Sequence, residues 1–184
     1  MDLNKISPSA DMGVAVKGNL FGTVAHHWLT IQNGSGYGSS EVDKYKKIGY
    51  SFWLTPVKGL IVEGYADYEK QDPNSPQTAS VLSTAKDYAG STGYYTLKSF
   101  VGYETITYTL GVEAFWRTNQ NSGIQNATVT NGVLTAFESA EVKKFGYSLF
   151  ASLITPLPKL KAFARYDYYD PNTKNDVYIK FSDR

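Results

Sequence analysis

Nine charged residues stand at alternating positions inside short apolar runs: Lys47, Glu63, Asp67, Lys98, Glu113, Arg117, Lys144, Lys161 and Arg165. In a β-strand, successive side chains point to opposite sides, so this spacing puts both signs of charge on one face of a sheet. Such a mixed row does no bond chemistry of its own. It sets the field felt by ions or polar solutes moving past it, or it is neutralised by pairing and water. The strand that begins at Leu60 carries Glu63 and Asp67, and the one that begins at Leu160 carries Lys161 and Arg165.

The usual signs of catalysis and metal binding are missing. His26 and His27 are the only two histidines and there is no Cys. Adjacent residues on a strand face opposite ways, so the two imidazoles cannot share a metal, and no carboxylate or thiol nearby completes a site. No motif couples either His to a nucleophilic Ser. Gly34-Ser35-Gly36-Tyr37-Gly38 follows a strand with no helix after it, which removes the phosphate-cradle reading and leaves a loop tip. No enzyme activity, catalytic residue, metal or cofactor is therefore expected.

The elements that must position the charged row are strands. The hydrophobic share is 42% and the aromatic share 15%, with 15 Tyr and 16 Gly among 184 residues. Tyr is a strand former with an apolar body and a polar tip. A net charge of +1 offers nothing to nucleic acid. No stretch reaches the roughly 18 apolar residues of a transmembrane helix, whereas a membrane strand shows only about 10 residues of alternation. The opening Met1-Asp2-Leu3-Asn4-Lys5 lacks the apolar core of a signal peptide, with which a complete exported protein should begin.

The hydrophobic period is two throughout. Leu60, Val62, Gly64, Ala66 and Tyr68 alternate with Ile61, Glu63, Tyr65, Asp67 and Glu69. Phe145, Tyr147, Leu149, Ala151 and Leu153 oppose Lys144, Gly146, Ser148, Phe150 and Ser152, and Ile106 to Arg117 repeats the pattern. The alternation predicts strands at 12–18, 23–33, 46–55, 60–70, 93–103, 106–117, 142–154 and 160–170, with a ninth at 177–182, in a single domain over 1–184. Short connections at 18–22, 55–59, 104–105 and 155–159 alternate with long polar ones at 34–45, 71–92 and 119–141; the last, 170–176, is of moderate length. Within the second long connection, Ser80 to Ala89 reads as one turn of surface structure or a short helix capped by Ser80. Tight turns on one side and long loops on the other are what a transmembrane barrel needs.

The hairpin unit also repeats. Lys46-Lys47-Ile48-Gly49-Tyr50-Ser51 echoes Lys143-Lys144-Phe145-Gly146-Tyr147-Ser148, and each copy leads to a Thr-Pro turn, Thr55-Pro56 and Thr155-Pro156. Each is followed by a strand ending in Asp-Pro-Asn.

Two stretches resemble a known family. Gly13-Val14-Ala15-Val16-Lys17-Gly18, a short turn, then Thr23-Val24-Ala25 running to Ile31-Gln32-Asn33-Gly34-Ser35-Gly36, resembles a hairpin of bacterial outer-membrane porins of the phosphate-selective and related uncharacterised type. Lys46 to Ser51 with Thr55-Pro56 looks like the next strand and turn of that family. The resemblance implies a barrel of about sixteen strands in the bacterial outer membrane, usually a homotrimer embedded in lipid, passing small hydrophilic solutes or ions. An inward Arg ladder is missing here, so phosphate selectivity does not carry over.

On this reading the nine charged residues line a pore. Tyr68, Tyr95, Trp116 and Tyr166 form an aromatic girdle near the long-loop ends, and Tyr103 and Tyr108 flank a short turn as the second girdle. Residues 1–11 read as a loop remnant, because the strand at 12–18 runs toward a short turn; the chain is expected to be a piece of a larger barrel. Two alternatives stay open: a soluble β-sheet module whose aromatics bind carbohydrate, and a small filled barrel serving as adhesin or anchor. Inward Trp53, Phe115, Phe150 and Phe163 suit the second.

Overall fold

A computed structural model describes residues 11–34, 44–70, 92–130, 133–157, 160–174 and 178–179. The strands are β1 (Gly13–Leu20), β2 (Ala25–Gln32), β3 (Lys47–Leu54), β4 (Leu60–Lys70), β5 (Gly93–Glu104), β6 (Tyr108–Thr130), β7 (Val133–Ile154), β8 (Lys161–Asp170) and β9 (Tyr178–Ile179). From β1 to β8 each strand pairs antiparallel with the next, and β9 adds to β6. This is the up-and-down meander expected from the alternation, with most strand ends within a residue or two of their predicted places. Among the described residues no helix is long and apolar enough to cross a membrane.

The sheet is open and does not close into a barrel among the described residues. Among the described residues β1 pairs only with β2, and β8 only with β7.

Within the stretch 119–141, expected as a long loop, residues 119–130 and 133–141 continue the β6–β7 ladder instead. Register shifts follow Asn119 and Gln125. Asn121 and Asn126 take φ of 52° and 51°. Asn tolerates that left-handed region better than other non-Gly residues, so the same Asn residues that read as loop are bulge formers here. At 23 residues β6 is about twice the 9–11 that a tilted bilayer crossing takes.

The turns follow local chemistry. Phe21 and Gly22 both have positive φ between β1 and β2. At Gly59 φ is 85°, and a Cβ there would lie 2.2 Å from Glu104 O, so both the conformation and the close approach of the next hairpin call for glycine. The two Thr-Pro turns share a bond pattern: Leu60 N–H donates to Val57 O at 3.1 Å, and Leu160 N–H to Leu157 O at 3.2 Å. The repeated sequence unit is thus a repeated turn geometry. The Ser80–Ala89 stretch lies outside the described residues.

Candidate functional site

Register carries one parity across the whole sheet. One cross-strand row runs Thr30, Gly49, Asp67, Thr96, Arg117 and Lys144. Another runs His26, Trp53, Glu63, Phe100, Glu113, Ser148 and Asp167. All nine predicted lining residues fall on this one polar face, as the alternation requires.

Burial differs sharply between the two faces. On the polar face Lys47 is 3% exposed, Asp67 7%, Lys144 6% and Arg117 8%. On the opposite face Leu97 is 50% exposed, and Ile48, Tyr50, Val101, Leu110, Val112 and Trp116 all stand open. Charged side chains are almost never buried unless paired, and large contiguous apolar surface is rare on soluble monomers.

Seven of the nine residues lie on β3 to β7, and those nearest the long-loop end form a network. Lys47 Nζ lies 3.2 Å from Asp67 Oδ2. The Tyr65 hydroxyl donates to the same oxygen at 2.9 Å. The Tyr94 hydroxyl donates to Glu69, and the Arg117 guanidinium lies over the Tyr94 ring, 3.5 Å from its centroid. Arg117 Nε also donates to Asn119 Oδ1 at 2.9 Å. Lys47, Asp67, Glu69 and Arg117 thus each have an opposite charge, a ring or a polar partner beside them, which offsets part of the cost of burying them.

Further along, the Ser51 hydroxyl donates to Glu63 Oε1 at 2.5 Å, and Lys98 Nζ lies 4.8 Å from the Tyr65 centroid. Glu113 has no hydrogen bond or ion pair among the described residues. The last two predicted residues, Lys161 and Arg165, sit on the β8 edge in an exposed setting, where Arg165 Nε donates to Asp167 at 2.8 Å. The sheet brings seven of the nine together and leaves these two apart.

Glu69, Tyr65, Tyr94 and Asn119 were missed as members of the site. The parity that found Asp67 also selects Glu69 and Tyr65, and the parity of Lys98 selects Tyr94. Choosing only charged side chains as lining left out the two Tyr and the Asn, and Glu69 was left out although its parity places it on that face.

The histidines behave as their adjacency predicts. His26 stacks on Trp53 at 5.1 Å on the polar face, with Nδ1 2.8 Å from Asn19 Oδ1, while His27 lies 6.3 Å from Tyr50 on the other. No group of three or more metal-binding side chains occurs among the described residues.

On the apolar face Tyr68 pairs directly with Tyr95, and Tyr103 contacts Tyr108 at 6.2 Å. Trp116 packs on Phe145 at 5.3 Å, one row in from the Tyr68–Tyr95 pair. Tyr166 departs from its expected place near the long-loop end: it pairs with Leu149, halfway along the β7–β8 ladder. Strand β8 continues to Asp170, four residues beyond Tyr166, whereas β4 ends at Lys70, two beyond Tyr68. Tyr166 and Tyr168 instead join Tyr147 in a cluster of rings.

Comparison with known protein families, with curated proteins and with solved structures finds no match.

Proposed function

We propose that this chain forms part of the wall of a bacterial outer-membrane β-barrel that passes small hydrophilic solutes or ions. The observation that carries the reading is the inversion of burial: open apolar side chains on one face, sheltered charged ones on the other. A strand wall in lipid has this pattern because acyl chains solvate the apolar face while water and counter-charges solvate the other. Strand lengths of 11 residues in β4 and 12 in β5 suit a tilted crossing. Among the described residues the outer edges of β1 and β8 have no pairing strand, which is costly inside a bilayer, so conduction needs further strands along those edges.

The test is to isolate the chain from membranes, refold it in detergent and in lipid vesicles, and follow far-UV circular dichroism and solute entry. β-rich structure that depends on detergent or lipid is expected. A monodisperse, folded monomer in plain buffer overturns the reading and returns the soluble sheet module to the front.

A further inference from the structure

Gly102 of β5 and Gly111 of β6 are direct partners in the ladder, and together they leave bare backbone in the polar face. Two phenyl rings cover it. A Cβ on Gly102 would lie 2.7 Å from Phe100 Cζ and 2.9 Å from its Cε1; one on Gly111 would lie 2.2 and 2.4 Å from the same atoms of Phe150. Near-equal distances to two ring atoms mean that each ring lies over its glycine. The rings are within 10° of parallel with centroids 6.2 Å apart, so they tile one floor side by side. Both are only part-buried, which leaves their upper faces toward the open side.

Charged groups of both signs edge the floor: Glu63 and Glu113 flank Phe100 directly on the neighbouring strands, and Arg165 flanks Phe150. A cavity of about 270 Å³ is lined by Glu63, Tyr65, Lys98, Phe100 and Glu113, and one of about 550 Å³ reaches Phe100 and Phe150 from the short-turn side. An apolar surface with a few placed polar groups is the ordinary form of a small-molecule site.

We propose that this floor is a saccharide-binding site, with the C–H face of a pyranose ring over Phe100 and Phe150 and its hydroxyls donating to Glu63 and Glu113. This names a solute class for the channel and rests on that reading. A flat pair of rings suits a flat, neutral ligand. A quaternary ammonium is held best by rings that face it from several sides, and these two face it from one. Charges of both signs, Glu63 and Glu113 beside Lys98 and Arg165, favour a neutral polar ligand over an ion of either sign, and a purely apolar ligand strips the carboxylates of water without replacing their hydrogen bonds. Hydroxyls both donate and accept, which matches Glu113 and Lys98 in one cavity.

The test uses the full chain refolded in detergent, titrated with maltotriose and with cellotriose by saturation-transfer NMR. Weak binding is expected, with a Kd of about 1 mM, because a solute that passes must also leave. Phe100→Leu and Phe150→Leu keep the glycines covered and the fold intact by circular dichroism, and each weakens binding by about tenfold or more, a loss of one stacking surface. Glu113→Gln weakens it less. Equal affinity in the Leu variants, binding of neither sugar, or binding of tetramethylammonium alone overturns the proposal. Solute entry into vesicles without sugar binding sinks this inference and spares the channel. Sugar binding by protein folded in plain buffer sinks the channel and spares the floor.

Discussion

Lys47 and Asp67 show how much one contact matters on the polar face. Their side chains are 4% and 3% exposed, so Lys47→Met leaves a buried carboxylate without its cation. The expected loss is about 3–5 kcal/mol in denaturant unfolding of the detergent-folded protein, with most of it regained in the Lys47→Met, Asp67→Leu double variant. If the single and double variants are equally unstable, the loss does not come from the unpaired Asp67 carboxylate. Glycine gives a second contrast. Gly111→Ala drives a methyl into Phe150 and is expected to cost about 1–3 kcal/mol, while the Cβ of Gly64→Ala meets nothing within 4 Å and should be nearly neutral. Alternation alone was enough to find Lys47, Asp67 and Arg117 as companions. It did not show that Tyr94 sits between Glu69 and Arg117, since that depends on which residues of β4, β5 and β6 stand abreast.

The strands β6 and β7 carry the sharpest test of which face meets lipid. Leu149 stands on the apolar face, 43% exposed, and Ser152 on the polar face opposite Thr109. Arg at 149 is expected to cost about 2–4 kcal/mol for folding into lipid vesicles, and Arg at 152 clearly less. Equal losses would mean that lipid does not distinguish the two faces, and a larger loss at 152 that they are exchanged. The extension of this hairpin past Asn119 was hidden in the sequence for a local reason. Asn, Gly and Ser read as loop by composition, yet the same residues form bulges when a long partner strand lies alongside.

At the scale of the whole molecule, the polar face mixes signs, with Lys47, Lys98, Arg117 and Lys144 among Glu63, Asp67, Glu69 and Glu113. A channel lined this way should be only weakly ion-selective, and the Glu113→Lys variant should move the reversal potential in a KCl gradient toward anions. An unmoved potential in conducting vesicles would take Glu113 off the path of the ions. What the sequence determined by itself was the period, the parity and the order of the strands, because alternation and turn chemistry are properties of a few neighbouring residues. From these followed the meander and the shared face of all nine charged residues. Tertiary structure alone decided the rest. Burial of the charged face, the phenyl floor over Gly102 and Gly111, the displaced Tyr166 and the free edges of β1 and β8 all depend on pairing between residues far apart in the chain, which no local pattern specifies.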